Sequence, residues 1–149
     1  MGAGWFGRLG VAVRDTRELR LLSGRVLVVD DDDEMRVVLR RMLESEGYDV
    51  TEQSRATHVL EALRRTPFDL VILDKEMPGL TGLDLLPMLR REYARLPVVF
   101  VTAFGGRQVA SSALRLGATS YLEKPFRLAQ LRDAIDGVFS RPADEPRAG

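Results

Sequence analysis

Three carboxylates, one hydroxyl and one ammonium carry the chemistry that this sequence can do. Asp30 and Asp31 follow the apolar run Val26-Leu27-Val28-Val29, and Asp74 follows Leu70-Val71-Ile72-Leu73. Thr102 follows Val98 to Val101, and Lys124-Pro125 follows Thr119 to Leu122. Carboxylates brought together repel one another and raise each other's pKa unless a cation intervenes. Oxygen donors without Cys or His suit a hard ion such as magnesium, which takes one or two carboxylates, keeps several waters and accepts phosphate oxygens. A carboxylate is also a nucleophile that takes a phosphoryl group as an aspartyl-phosphate. An ammonium and a hydroxyl then hold the remaining phosphoryl oxygens. Lys124 is one of only two lysines, with Lys75, among 22 Lys plus Arg. A compact point charge at this position suits a site too narrow for a guanidinium fork.

These residues meet only if the elements behind them form one sheet. Short β-branched runs alternate with helical periods from Arg25 onward. Val26 to Val29 reads as a strand buried on both faces, and the acidic run Asp30 to Asp33 suits a helix start. Met35, Val38, Leu39, Met42 and Leu43 then recur at helical spacing, and Gly47 ends the pattern. Tyr48 to Glu52 is a second strand, and Ser54 is placed to cap a helix carrying Ala56, Val59, Leu60 and Leu63. Leu70 to Leu73 is the third strand, followed by the Pro78-Gly79 turn and a helix from about Gly82. Val98 to Val101 precedes a helix that follows Gly105-Gly106 and ends at Leu116 and Gly117. Thr119 to Leu122 precedes a last helix carrying Leu128, Leu131, Ala134, Ile135 and Val138. Five βα units without antiparallel hairpin signals predict an open parallel sheet covered on both faces. In such sheets the site lies outside the carboxyl ends of the strands, where all five candidate residues fall. The second strand offers no candidate, as an edge strand would not.

The 149 residues are 45% hydrophobic and 30% charged with zero formal net charge, the profile of one globular domain with tails. No basic excess points to nucleic acid. The absence of cysteine excludes disulfides, thiolate metal sites and cysteine catalysis, and fits a cytoplasmic location. No run approaches the ~18 apolar residues of a membrane span. Residues 1–24 read as an extension outside the core, with Asp15 and Glu18 placed to cap a short helix through Leu22. Residues 140–149, rich in Pro, Ala and charge, read as a disordered tail. The domain proper is expected at residues 25–139.

Val28-Val29-Asp30-Asp31, Phe68 to Asp74 followed by Met77-Pro78-Gly79, Val101-Thr102-Ala103 and Tyr121 to Phe126 (YLEKPF) occur in order and on the right elements. In these stretches the chain resembles the receiver domains of two-component response regulators, over roughly Arg25 to Phe139. The resemblance implies a flavodoxin-like (βα)5 doubly wound parallel sheet with strand order 2-1-3-4-5, an order shared with the chemotaxis receiver. It implies that Asp74 is the phosphoacceptor, charged from a phosphohistidine of a sensor histidine kinase or a histidine phosphotransfer protein. Asp31 and Asp74, with the backbone carbonyl of Glu76, would bind magnesium directly, and Asp30 largely through water. Lys124 and Thr102 would hold phosphate oxygens, and Tyr121 would be the aromatic switch that turns inward as Thr102 moves. Lys124-Pro125 is expected to be cis. Output would pass to a downstream protein through the face of helix four, strand five and helix five, with Val109, Ala110, Ala113 and Leu114 among its residues. No direct nucleic-acid or membrane partner is implied, and a homodimer stays open.

Duller readings stand beside these. Asp31 to Asp33 suit a helix cap, Asp74 a turn before Pro-Gly, Thr102 an ordinary strand position and Tyr121 plain packing. His58, the single histidine, reads as solvated. Three features depart from common receivers: Glu76 adds a carboxylate beside an anionic site, Phe104 adds bulk beside Thr102, and Pro87 interrupts a helix, removing one backbone bond and kinking it. Glu76 and Phe104 are expected to set phosphoryl lifetime. Only ten residues follow Phe139, so output is expected through a surface. A self-phosphorylating signalling domain is therefore expected. The alternatives are a docking domain independent of phosphorylation and an aspartate-nucleophile phosphatase, for which no lid insertion or general acid–base group beyond Glu76 is evident.

Overall fold

The computed structural model describes residues 4–6, 11–13, 24–103 and 106–139. Five strands form one parallel sheet: β1 (Arg25–Val29), β2 (Asp49–Gln53), β3 (Leu70–Asp74), β4 (Val98–Thr102) and β5 (Ser120–Glu123). They lie in the order β2-β1-β3-β4-β5, the expected doubly wound arrangement. The helices are α1 (Asp33–Ser45), α2 (Val59–Arg65), α3 (Gly82–Glu92), α4 (Gly106–Arg115) and α5 (Leu128–Phe139).

Alternation along the strands explains the two-sided cover. Leu27, Val29, Val71, Leu73, Val98 and Phe100 face one side and pack with residues of α2, α3 and α4. Val26, Val28, Leu70, Ile72, Val99 and Val101 face the other and pack with Leu39 and Leu43 of α1 and Leu131, Ile135 and Val138 of α5. Every residue of β3 and β4 is buried, so these strands read as continuous apolar runs. β2, at the edge, alternates exposed and buried at its start.

The helix ends are set by local polar chemistry. Asp32 caps α1, its carboxylate accepting from the N–H groups of Glu34 at 3.0 Å and Met35 at 3.3 Å. After α1 the chain turns at Gly47, whose φ of +92° suits a residue without Cβ. Thr81 and Asp84 form a reciprocal capping box at the start of α3. That helix runs through Pro87, which has no N–H to offer the Leu83 carbonyl. The neighbouring Leu85, Leu86 and Leu89, all at 0% exposure, hold the helix to the sheet.

Some expectations shift. Ser54 caps nothing: α2 is entered through a 3-10 turn, Ala56–His58, whose flanking Arg55 makes no side-chain bond. Val38 is exposed, because the buried stripe of α1 runs through Leu39 and Leu43. An antiparallel ribbon, Gly4–Phe6 paired with Val11–Val13, lies in the N-terminal extension. Three-residue strands are too short for periodicity to reveal them. The expected helix through Leu22, the C-terminal tail, Phe104 and Gly105 lie outside the described residues. No described helix is long and apolar enough to cross a membrane.

One glycine ties the fold to the rim. A Cβ at Gly82 would stand 2.3 Å from the Asp74 carbonyl oxygen and 3.1 Å from the Lys75 Cα. The Gly82 N–H also donates to the Lys75 carbonyl at 3.2 Å. The start of α3 is thus pressed against backbone that cannot yield like a side chain. Gly82→Ala should cost about 1–3 kcal/mol through overpacking. Urea denaturation measures it, and a loss below the precision of the fit would contradict the close approach.

Candidate functional site

Among the described residues, the buried polar side chains are Asp30, Asp74 and Thr102, at 1%, 2% and 0% exposure. All three stand at carboxyl ends of central strands. Parallel pairing sets Val29 opposite Leu73 and Asp74 opposite Val101, so the strands finish in step. The Lys75 N–H continues the ladder to the Val101 carbonyl at 2.9 Å, and the Lys124 N–H to the Thr102 carbonyl at 2.8 Å. The side chains of these strand ends therefore stand on backbone held by sheet bonds.

Lys124 is the cation of the site. Its Nζ donates to Asp30 Oδ2 at 3.0 Å and to Asp74 Oδ1 at 3.1 Å. The peptide that follows, Lys124-Pro125, is cis. Asp31 is exposed, and Asp30, Asp31 and Asp74 each offer an oxygen within 4.8 Å of the others. The acidic run thus divides its labour: Asp30 and Asp31 join the cluster, while Asp32 caps α1. Asp30 is further fixed by the Asp32 N–H, which donates to its Oδ1 at 2.9 Å.

The electrostatics follow from burial. Burial and then the neighbouring Asp30 charge raise the Asp74 pKa from 3.8 to about 7, although Lys124 works against the shift. Burial likewise raises the Asp30 pKa, opposed by the Asp32 N–H and Lys124. Burial alone would lower the Lys124 pKa, but its bonds and attraction to Asp30 and Asp74 outweigh this and raise it. One ammonium among three carboxylates leaves net negative charge in a partly desolvated place. An all-oxygen donor set with that charge fits a hard divalent cation such as magnesium.

Thr102 and Glu76 also meet at the rim. Thr102 Oγ1 donates to Glu76 Oε1 at 2.5 Å, and the Ala103 N–H reaches Glu76 Oε2 at 3.4 Å. Burial opposes ionisation of Glu76, but these bonds, with contributions from Asp74 and Lys75, lower its pKa. Tyr121 is half-buried, and its buried hydroxyl has no hydrogen-bond partner among the described residues. Burial, then Glu123 and Glu76, raise its pKa. His58 is exposed, as expected.

Three supports were not read from the sequence. Arg36 Nη1 donates to the Asp30 carbonyl at 2.6 Å, and its guanidinium also meets Asp33 and Glu52. The edge strand contributes after all, because the Gln53 carbonyl accepts from the Asp30 N–H at 3.1 Å. Ala103 contributes through a backbone donor, for which no side-chain type is a signal. The spacing of Arg36 from Asp33 on α1 was a readable cue, whereas the reach of Arg36 to Asp30 depends on how the chain turns into the helix.

Fold and rim together define a flavodoxin-like α/β domain with a buried acidic pocket suited to a hard cation. The chain belongs to the response regulator receiver domain family, whose model matches residues 26–136. It is 44% identical over 119 residues to the transcriptional activator protein PfeR of Pseudomonas aeruginosa, covering 80% of this chain and 39% of that protein. It is 34% identical over 120 residues to chemotaxis protein CheY-3 of Vibrio cholerae, covering 78% of this chain and 92% of that one. The solved structure of Vibrio cholerae chemotaxis protein CheY4 superposes with a TM-score of 0.74 at 27% identity, over 78% of this chain and 98% of that one.

The raised pKa makes a stability prediction for the metal-free protein. The folded-state pKa of Asp74, about 7, lies above the ordinary 3.8. Folding therefore favours its protonated form, and the stability this contributes is complete below about pH 4 and lost as pH rises through about 7. Asp74→Asn should accordingly stabilise the metal-free protein by roughly 1–2 kcal/mol at pH 8 and by much less at pH 5. Denaturation in a chelator at both pH values measures the difference. A variant less stable than the parent at pH 8 would reverse the reading.

Proposed function

We propose that the protein is a phosphorylation switch in which Asp74 accepts a phosphoryl group from a phosphohistidine of a sensor histidine kinase or a histidine phosphotransfer protein. The observation that carries this reading is the buried rim in which Lys124 bridges Asp30 and Asp74. Asp31, Asp74 and the Glu76 backbone carbonyl would hold magnesium directly, with Asp30 acting through water. When bound, the ion would supply positive charge that offsets the incoming phosphoryl group. Asp74 is the nucleophile: its Oδ forms the new O–P bond while the N–P bond of the donor breaks and the donor imidazole leaves. Lys124 gives up part of its contact with Asp74 to hold a phosphoryl oxygen, and the Thr102 hydroxyl takes another.

Output follows from movement of Thr102 and Tyr121. The face of α4, β5 and α5 then presents a different surface to a downstream protein, a shift between pre-existing arrangements. The structure of α4 supports this division of labour. Ala113 is buried and Val109 packs on the core, whereas Leu114 is 50% and Leu116 38% exposed. Because the match covers only 39% of PfeR, a second reading of output is that the same switch acts within a longer regulator. Glu76 and Phe104 together set the phosphoryl lifetime, and replacing both should change the dephosphorylation rate severalfold.

Intact mass after incubation with magnesium and a small phosphodonor tests the switch. A magnesium-dependent gain of one phosphoryl group, absent in Asp74→Asn, is expected, with beryllofluoride binding as a second probe. No gain and no beryllofluoride binding by the folded protein would favour a docking domain independent of phosphorylation. Turnover of a phosphate ester beyond one equivalent would instead favour a phosphatase.

A further inference from the structure

The Glu76 carboxylate occupies donors that an anion on Asp74 would need. The Thr102 hydroxyl and the Ala103 N–H, adjacent at the end of β4, both point at it, at 2.5 Å and 3.4 Å. Thr102 is buried, at 0% exposure. A hydroxyl has one hydrogen to donate. It therefore serves Glu76 or a phosphoryl oxygen, but not both at once. A carboxylate and a phosphoryl group packed against the same donors also repel each other. Lys75, whose Nζ lies 3.8 Å from Glu76 Oε1, is the neighbouring cation toward which a displaced carboxylate can turn.

We infer that Glu76 is an internal stand-in for the phosphoryl group: in the resting protein its carboxylate latches Thr102 and Ala103, and phosphorylation must expel it. The inference rests on the receiver reading above and specifies what that reading leaves open, the occupant of the Thr102 donor before phosphorylation. The latch has two consequences. It holds Thr102, and with it the movement that Tyr121 must follow, in the resting arrangement. It also opposes any phosphoryl donor, because part of each donor's binding is spent on displacing Glu76. Glu76 is thus a positioning residue that sets the threshold of the switch.

Beryllofluoride titration by calorimetry, with magnesium present throughout, separates this latch from simple charge repulsion. Glu76→Asp keeps the charge but is one methylene shorter and loses its hold on the two donors. Glu76→Ala loses both charge and hold. Loss of a charge-assisted pair of bonds predicts that both variants bind beryllofluoride about tenfold more tightly than the parent. Charge repulsion alone predicts that Glu76→Asp matches the parent while Glu76→Ala gains. The Thr102 methyl resonance gives a readout without ligand: in both variants it should move toward its position in the beryllofluoride-bound parent. A parent that binds, with Glu76→Asp equal to it in affinity and in the Thr102 resonance, would overturn the latch and leave the receiver reading intact. Failure of parent and variants alike to bind beryllofluoride would overturn the receiver reading and the latch with it.

Discussion

Two carboxylates buried side by side are the constraint on which the rest of this molecule depends. Asp30 and Asp74 are almost wholly removed from solvent, where isolated charges are costly and like charges more so. Lys124 lies between them and is itself largely buried. One ammonium cannot balance Asp30, Asp74 and the adjacent Asp31. The site is therefore left short of positive charge, and its all-oxygen donor set fits a hard cation. A rim neutralised fully by the protein's own side chains would be more stable and would have no such use.

The deficit is tolerable because the backbone around it cannot relax. Sheet bonds continue past the strand ends through Asp30, Lys75 and Lys124, each N–H meeting a carbonyl of the neighbouring strand. Arg36 holds the Asp30 carbonyl from α1, and Glu52 of the edge strand anchors Arg36 in turn. On the other side of the rim Gly82 presses α3 onto the Asp74 carbonyl. Repulsion between the carboxylates can then be met by protonation or by a cation, not by the strands moving apart. A preorganised site of this kind gains most where charge develops during a reaction.

How much of this was legible follows from the physics of each part. The buried strands announced themselves as apolar runs because both faces of a central parallel strand are covered. Asp74, Thr102 and Lys124 were legible because the fold sends strand ends to one rim, so position along the chain became position in space. Asp31 and Asp32 could not be told apart from type alone. Either suits a cap, and only the exit angle from β1 decides that Asp32 caps α1 while Asp31 joins the cluster. The contributions of Gln53 and Ala103 are backbone groups, which every residue carries, so sequence held no mark of them. Val38 was misplaced because its spacing fits both the buried stripe and its margin. The N-terminal ribbon escaped notice because three residues show no period.

Glu76 is the part that residue type and fold together left open. Its position beside an anionic site suggested an effect on phosphoryl lifetime, and spacing could not say how that effect arises. The geometry narrows the choice, because the carboxylate lies on Thr102 and Ala103 and its pKa is lowered by those bonds. A residue placed to repel an anion at a distance would gain nothing from such contacts. The bond also occupies the one hydrogen of the Thr102 hydroxyl. Under the proposed latch, Glu76 holds the same donors that a phosphoryl group on Asp74 would take. Competition for one hydrogen at a fully buried threonine is a sharper two-state element than a gradual change in field. The balance between the two states then depends on how well each anion fits that donor pair.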